Sequence, residues 1–348
     1  MPELDAVPPP MGRRTDVEGT AGEVLRADTL VKRFEAVAAV DGVSFSVRRG
    51  EIFGFLGPNG AGKTTTINLL TGLARPTAGS VFLEGEEYTH RPKTAQAMMG
   101  IVPDESNLYE ELSGFENLTF CAALYGLGKR QREKKAGELL EQFGLAQTGK
   151  RLFKAYSKGM KRKLTIAAGI IHEPKILFLD EPTTGIDVAS ARQIRILIGD
   201  LNRRGTTIFL TTHYIEEAER LCHRIAFIVN GKIIRVSSLD ELMQAHQQET
   251  ILQVSMEMEM EMEMEDPGLP AALRVQFPEY SILNRDERSL QVVSKGHIEL
   301  LPLLRFLSTQ GVKVTEAKLV RPTLEEVFVR VTGIEIERMK QEREGGKK

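Results

Sequence analysis

Two short stretches of the sequence carry residue types that suit phosphate chemistry. The first reads GPNGAGKTT and lies between the apolar run IFGFL and the helix-like run TINLLTGL. Its glycines allow backbone N–H groups to wrap around a phosphate, Lys63 can reach the outer oxygens, and the Thr64 hydroxyl suits Mg²⁺. The motif in this strand–helix context predicts a nucleoside triphosphate site. The predicted nucleotide-binding residues are Gly57, Pro58, Asn59, Gly60, Ala61, Gly62, Lys63, Thr64 and Thr65.

The second stretch, KILFLDEP at residues 175–182, places two carboxylates directly after an apolar run. Four consecutive apolar residues predict a strand buried on both faces, and open α/β sheets bind ligands beyond the carboxyl ends of such strands. There Asp180 can hold Mg²⁺ through water, and Glu181 can polarise an attacking water as a general base. Together the two stretches predict hydrolysis of a magnesium-bound nucleoside triphosphate.

A third stretch, AYSKGMKRKLTIAAGII at residues 155–171, predicts a second anion site. Ser157 is a good N-cap, Gly159 permits close backbone approach, and an apolar helical pattern follows. Free N–H groups at a helix start attract anions, and four basic residues flank this one. The basic residues fit a solvated face that also steers phosphate better than a nucleic-acid patch. The residues alone do not say whose phosphate this helix binds.

The order of these motifs resembles the ATP-binding cassette (ABC) family of transporter ATPases. Its signature motif, usually LSGGQ, is replaced here by YSKGM, in which Ser157 and Gly159 match while Tyr156, Lys158 and Met160 depart. The resemblance implies ATP and Mg²⁺ as ligands and a head-to-tail dimer in which the signature helix faces a partner's ATP. Ser157, Lys158, Gly159 and Met160 are thus expected to contact ATP held by a second copy or by a sibling ATPase subunit.

Three further residues fit the resemblance over residues 25–247. Phe34 lies where the family stacks an aromatic ring on adenine, Asp187 where it has the D-loop aspartate, and His213 where it has the switch histidine on the γ-phosphate. Lys63, Glu181 and His213 are therefore the expected catalytic residues. Taken alone, Phe34 suits a core aromatic and His213 a histidine at a strand end.

One residue departs from the family pattern at a position that matters. The sequence reads GIVPDESNLYEEL, so Asp104 stands where the family usually has glutamine. A carboxylate can bind Mg²⁺ as an amide carbonyl does, but when ionised it cannot donate a hydrogen bond. Asp104 is therefore expected as a metal ligand with Thr64 and Asp180; the alternative is that it only caps its loop.

The predicted fold is α/β: a P-loop ABC nucleotide-binding domain with a RecA-like core, an antiparallel β subdomain and a helical subdomain, followed by a small α+β domain. The predicted divisions are a flexible tail at 1–24, the ATPase domain at 25–247 with its helical part at about 105–170, a repeat at 248–269, the α+β domain at 270–334 and a charged tail at 335–348.

The repeat ILQVSMEMEMEMEMEDPG alternates strictly between apolar and polar residues. A period of two puts the apolar residues on one face of a strand, although methionine and glutamate both favour helix. An overlong hairpin arm or a mobile linker is the favoured interpretation, and a methionine-rich recognition surface is the weaker one. Beyond the repeat, LRVQF, LQVVS and VKVTEAKLV predict strands, and HIELLPLLRFLSTQ and PTLEEVFVRVTG predict helices, the second with a Thr323/Glu326 capping box.

Composition limits the function classes. The 348 residues are 41% hydrophobic and 27% charged with a net charge of −2, which does not favour a nucleic-acid partner. The two cysteines lack zinc-ligand spacing, and neither a signal peptide nor an apolar run of membrane-spanning length is evident. If the protein works at a membrane, another chain is expected to cross it.

The C-terminal stretch RPTLEEVFVRVTG resembles the extension of separate ATP-binding subunits of ABC-2-type exporters, the daunorubicin-resistance and sodium-efflux type. The resemblance implies an integral-membrane permease as partner, docked near residues 104–130, and a location at the cytoplasmic face of the cell membrane. Two alternatives are a non-transport ABC ATPase acting on ribosomes or DNA, and a regulatory switch that binds ATP with little turnover.

Overall fold

The computed structural model describes residues 22–244, 250–258, 268–286, 289–320 and 323–333. The tails predicted at 1–24 and 335–348 lie outside these ranges except for residues 22–24, and Glu23 already begins the first strand. Most of the methionine–glutamate repeat, residues 259–267, also lies outside them.

A six-stranded sheet forms the centre of the protein. Its strands are β3 (Ile52–Leu56), β6 (Met99–Val102), β7 (Ile176–Asp180), β8 (Thr207–Thr212), β9 (Arg224–Val229) and β10 (Lys232–Ser238). The order across the sheet is β10-β9-β3-β8-β7-β6, and all neighbours are parallel except β10, which runs antiparallel to β9. The continuous apolar runs of β3, β7 and β8 are buried along their whole length, as expected for strands covered on both faces.

A second, antiparallel sheet covers one side of this core. It consists of β1 (Glu23–Phe34), β2 (Val37–Arg48), β4 (Ala78–Leu83) and β5 (Glu86–Glu87) in the order β2-β1-β4-β5. The alternate residues Val43, Phe45 and Val47 of β2 are buried, and β1, whose register shifts interrupt its alternation, buries Leu25, Ala27 and Leu30. One face of the sheet therefore packs inward. This is the antiparallel subdomain that the sequence predicts.

Helices connect the strands and form a separate helical region. The helices of the core are α1 (Lys63–Leu70), α2 (Pro92–Gln96), α6 (Val188–Arg203), α7 (Ile215–Leu221) and α8 (Leu239–Gln244). The helical region contains α3 (Gly114–Leu124), α4 (Lys129–Gln142), α5 (Lys158–Ile170) and two short 3₁₀ turns, Ala146–Thr148 and Phe153–Ala155. A capping box at Ser113 and Glu116 begins α3, and Ser157 caps α5.

The C-terminal part contains a third sheet, and here the structure differs from the predicted division. Its strands are β11 (Thr250–Met258), β12 (Ser281–Asp286), β13 (Ser289–Ser294) and β14 (Val312–Val320), all antiparallel, in the order β12-β13-β11-β14. The start of the repeat is thus an inner strand of this sheet and not an arm or linker. Leu252, Val254 and Met256 are buried on one face, so the alternating pattern prevailed over helix propensity.

The segment LRVQF forms part of a helix, α9 (Gly268–Gln276), and the predicted strand there is wrong. Its short alternation hides a longer period, because Leu269, Leu273 and Phe277 are spaced by four and all pack into the core of the C-terminal part. The other strands and helices predicted beyond the repeat agree with the structure: β13, α10 (Leu300–Thr309), β14 and α11 (Leu324–Thr332) with its Thr323/Glu326 capping box.

The last helix, α11, packs against the ATPase core. Leu324, Val327 and Phe328 are completely buried in the same apolar cluster as β3, β7 and β8. The ring of Phe328 meets that of Phe227 edge-on, with centroids 5.4 Å apart. On its other side α11 is tied to the third sheet, since Gln291 on β13 donates to Glu326 at 2.9 Å. The helix therefore joins the C-terminal sheet to the ATPase domain.

Candidate nucleotide-binding and hydrolysis site

The loop between β3 and α1 has a backbone that only glycine permits at several points. Gly60 and Gly62 have φ values of 76° and 101°, and a Cβ on Gly62 would lie 2.3 Å from the carbonyl oxygen of Ala39. Gly62 is also the N-cap of α1 and provides no side-chain hydrogen bond to it. The first N–H groups of α1 therefore stay available to an anionic ligand.

Asp180 and Glu181 lie at the carboxyl end of β7, and Thr211 on the neighbouring strand β8 fixes both. The Thr211 hydroxyl donates to Oδ1 of Asp180 and accepts from the backbone N–H of Glu181 at 3.1 Å. Glu181 has a φ of 47°, in the left-handed region that a glutamate seldom adopts. Such backbone strain persists where surrounding contacts impose it, and it turns the Glu181 side chain toward the loop.

The Glu181 carboxylate lies between two nitrogen groups. Lys63 Nζ is 3.2 Å from Oε1 and His213 Nδ1 is 2.6 Å from Oε2, while the Thr184 hydroxyl donates to Oε2 at 3.0 Å. Burial works to raise the pKa of Glu181, but the His213 hydrogen bond and the Lys63 charge outweigh it and lower the pKa to about 2. The carboxylate is therefore ionised at neutral pH.

His213 presents one ring nitrogen to Glu181 and holds the other buried. An ionised carboxylate only accepts hydrogen bonds, so Nδ1 carries the proton in this contact. Nε2 is buried and has no hydrogen-bond partner within the part of the chain that the structure describes. Nε2 can donate to a phosphate oxygen only when the imidazole is doubly protonated.

These side chains line a cavity of about 360 Å³. Its walls include most of the residues that the sequence assigns to nucleotide and metal, the catalytic candidates Glu181 and His213, and two residues with no predicted role, Ala39 and Thr184. The lining residues are Ala39, Asn59, Gly60, Gly62, Lys63, Thr64, Thr65, Asp104, Glu181, Thr184 and His213.

Other predicted residues lie outside this lining. Phe34 is 53% exposed with Lys32 Nζ 4.9 Å from its ring centroid, so the alternative of a core aromatic is wrong. Gly57 and Pro58 instead accept hydrogen bonds from Lys63 through their carbonyl oxygens, at 2.9 and 3.0 Å. Ala61 is buried among the apolar residues beneath the loop.

The signature residues also lie apart from the cavity, at the exposed start of α5. Ser157 accepts from the backbone N–H of Met160 at 3.2 Å, which leaves its own O–H free to donate. Gly159 is buried against α6, where a Cβ would lie 2.3 Å from Ser190 Oγ. Asp187 caps α6 by accepting from the N–H of Ser190 at 2.9 Å. The two helix starts are therefore packed together.

Asp104 lines the cavity, and its partner is a residue that the sequence did not single out. Arg162 Nη2 donates to Asp104 Oδ1 at 3.2 Å. Burial raises the pKa of Asp104, the Arg162 charge opposes this, and the charges of Asp180 and Glu181 raise it further. In sequence, Arg162 is one of four basic residues on a short stretch, and nothing in the pattern distinguishes it from the others.

Thr184 and Glu217 are two further residues at the site that the sequence pattern does not identify. Thr184 follows Glu181 by three residues, which places its hydroxyl beside that carboxylate. Glu217 on α7 is buried behind the site, accepts from the Thr183 hydroxyl at 2.9 Å, and has its pKa raised by burial. A glutamate in the acidic start of a helix gives no signal of burial, so only the fold identifies it.

The residues at the cavity fit a Mg²⁺ ion by the chemistry of their donors. Mg²⁺ prefers oxygen ligands and is usually held by one or two carboxylates together with substrate phosphates. The Thr64 hydroxyl and the Asp104 carboxylate supply such oxygens at the cavity wall, and the Asp180 carboxylate, which is buried outside the lining and accepts from Thr211, adds a third. Among the described residues, no group of three or more His, Cys, Asp or Glu side chains is arranged to hold a metal by itself.

No helix in the described ranges has both the length and the apolar character needed to cross a membrane.

Comparison with known proteins relates this geometry to a family. The family model described as ABC transporter matches residues 40–184. The daunorubicin resistance ATP-binding protein DrrA3 of Streptomyces coeruleorubidus is 36% identical over 314 residues, which cover 90% of this chain and 97% of that protein. The linearmycin resistance ATP-binding protein LnrL of Bacillus subtilis is 34% identical over 316 residues, covering 89% of this chain and 98% of that protein.

Among solved structures, an ATP-binding subunit of an ABC transporter is 31% identical to this chain. It superimposes with a TM-score of 0.58, covering 64% of this chain and 92% of its own.

Proposed function

The chain belongs to the ABC transporter family, and we propose that it is the ATP-hydrolysing subunit that powers a membrane exporter of this family. The observation that carries the proposal is the position of Glu181, held between Lys63 and His213 at the wall of a cavity formed by the phosphate-binding loop. A general base, a phosphate-binding lysine and a hydrogen-bond donor for the γ-phosphate thus converge on one volume.

Lys63 connects ATP binding to the basicity of Glu181. A carboxylate with a pKa of about 2 is a weak base, and Lys63 is one of the groups that lower it. Phosphate oxygens compete with Glu181 for the Lys63 ammonium, and loss of that contact raises the pKa of the carboxylate. Glu181 then orients a water and takes its proton as the water oxygen bonds to the γ-phosphorus and the bond to the leaving ADP oxygen breaks. His213 can donate from Nε2 to the phosphate when its ring carries both protons.

Magnesium belongs to this mechanism as a ligand of the nucleotide. Thr64 and Asp180 would hold it, with Asp104 beside them, and it would neutralise charge on the phosphates.

The second helix start supports action as a dimer. Ser157 lies at an exposed helix start outside the cavity, with an O–H free to donate. We therefore place ATP of a second copy, or of a sibling subunit, against Ser157, Lys158, Gly159 and Met160. Asp187, which caps the neighbouring helix α6, lies at the same junction.

An integral-membrane permease is the proposed second partner. The helical region exposes large apolar and aromatic side chains within the predicted docking segment, namely Tyr109, Phe120, Leu124 and Tyr125. Exposed clusters of this kind suit a protein–protein contact. The relatives named for daunorubicin and linearmycin resistance support export as the direction of transport. The chain would then sit at the cytoplasmic face of the membrane through its permease.

The proposal is tested by ATP hydrolysis and by solution mass. We expect the wild-type chain to hydrolyse Mg·ATP and Glu181→Gln to lower kcat about 10²- to 10³-fold. Light scattering on a size-exclusion column should show Glu181→Gln shifting from 38.8 kDa to twice that mass when Mg·ATP is added. A chain that binds Mg·ATP but neither hydrolyses it nor dimerises would overturn the proposal.

A further inference from the structure

Arg162 connects three separate elements through one buried side chain. It lies on α5, five residues after Ser157, and its side chain is 6% exposed. Its guanidinium donates to the carbonyl oxygens of Pro103 and Asp104 at 2.6 Å each, beyond the end of β6. It also donates to the Asp104 carboxylate and to the backbone carbonyl of Glu181 at 3.3 Å.

A buried arginine with acceptors of this kind has few alternative positions. Its planar fork fixes the directions of its N–H groups, and leaving a buried guanidinium without acceptors is costly. The loop at Asp104 and the residue after β7 are therefore held at a set distance from α5. These are the two points at which acidic side chains approach the phosphate-binding loop.

The charge of Arg162 has a second effect at this place. Asp104, Asp180 and Glu181 would together bring three negative charges to a site that receives phosphates. A carboxylate paired with a guanidinium offers an oxygen ligand while its charge is locally balanced. This pairing explains how an acid can stand where the family usually has a neutral amide.

We infer that Arg162 is a positioning residue. It balances the charge of the Asp104 carboxylate, and its hydrogen bonds hold Asp104 and the Glu181 backbone at fixed positions relative to α5. It touches neither the phosphates nor the attacking water and acts through these two residues. The inference rests on the proposed function, because α5 is the helix assigned to a partner's ATP. If α5 moves when the dimer closes, the Arg162 hydrogen bonds would move Asp104 and Glu181 of the same chain with it.

The test compares Arg162→Gln in two backgrounds, the wild-type chain and Asp104→Gln. In the wild-type background we expect kcat to fall about 30-fold while KM for Mg·ATP changes less than about threefold, since positioning and not uniform binding is lost. In the Asp104→Gln background no carboxylate is left unpaired, but the hydrogen bonds to the Pro103 and Glu181 carbonyls are still lost, so the same change should lower kcat by a smaller factor of about three to ten. Lys175→Gln removes an equal charge from an exposed position directly before β7, outside the site, and should leave kcat within about twofold.

A second readout does not depend on turnover. The Mg²⁺ concentration that gives half-maximal binding of a fluorescent ATP analogue should fall about threefold or more in Arg162→Gln, because an unpaired Asp104 carboxylate attracts the cation. It should stay unchanged in Asp104→Gln/Arg162→Gln relative to Asp104→Gln. Equal losses of kcat in both backgrounds, or an unchanged Mg²⁺ requirement, would overturn the inference.

A folding defect is separated from positioning by a conservative variant. Thermal unfolding of every variant identifies any that is not folded, and Arg162→Lys then replaces Arg162→Gln. Lysine keeps the charge but not the fork, so kcat should fall while the Mg²⁺ requirement stays at the wild-type value. A shifted Mg²⁺ requirement in Arg162→Lys would contradict the inference. Failure of the proposed function is distinct, since it appears as absent hydrolysis and dimerisation in the wild-type chain.

Discussion

The helices α1 and α5 both begin with glycine-containing turns suited to phosphate, yet their surroundings differ. The start of α1 has no side-chain cap and faces a cavity that the same chain closes with Asp104, Glu181 and His213. The start of α5 is capped by Ser157 and lies exposed. The first helix start is therefore equipped to bind ATP within one chain, whereas the second presents a donor surface that the chain itself does not cover.

Removal of Lys63 should produce the largest effect and test the α1 side of this comparison. Lys63→Ala takes away the charge that both the phosphates and Glu181 use, so we expect kcat to fall about 10³-fold and the affinity for ATP about tenfold or more. Steady-state hydrolysis and equilibrium binding of Mg·ATP measure the two quantities. The matched control is Lys175→Gln, an exposed lysine outside the site, and undiminished ATP binding by Lys63→Ala would remove α1 as the phosphate site.

A change at Ser157 should break dimerisation and spare binding within one chain. In the Glu181→Gln background, Ser157→Arg places a bulky charge at the exposed start of α5, and we expect the dimer dissociation constant to rise about 100-fold. The affinity of each monomer for ATP should stay within about threefold, because Ser157 lies outside the cavity. Solution mass and nucleotide titration report the two. A dimer that persists would show that α5 does not face a neighbour's ATP.

A smaller effect is expected where α5 meets α6. A Cβ at Gly159 would lie 2.3 Å from Ser190 Oγ and 2.6 Å from Ser190 Cβ, so Gly159→Ala forces the two helix starts apart. Overpacking of this kind costs about 1–3 kcal/mol. Urea unfolding measures the loss. Ser190→Gly removes both clashing atoms, so the double variant should be more stable than the sum of the single changes predicts, and simple additivity would contradict the contact.

The α1 side was predictable because its residues act through local backbone geometry. The sequence GPNGAGKTT between a strand and a helix determines where the loop lies and which way Lys63 points, and the run before Asp180 determines its place at the sheet edge. Arg162 could not be predicted, since its partners at Asp104 and Glu181 are 58 and 19 residues away and belong to other elements.

The same distinction holds for the C-terminal part. The alternation through Leu252, Val254 and Met256 predicted a strand, but not that β13 and β14 pair with it on either side. The alternation in LRVQF predicted a strand that does not exist, because Leu269, Leu273 and Phe277 set a helical spacing over a longer window. A pattern of about five residues is too short to distinguish a strand from a helix. Packing against the rest of the protein decides which of the two forms.

The packing of α11 has a consequence for the order in which the protein is made. Leu324, Val327 and Phe328 complete an apolar core that residues as early as Ile52 begin. A ribosome releases the chain from its N-terminus, so this core stays unfinished until Phe328 has been added, more than two hundred residues after Ile52. Growing chains would therefore expose the apolar surface beneath α11 until that helix has been made, and a stop codon shortly before Leu324 would leave this surface uncovered.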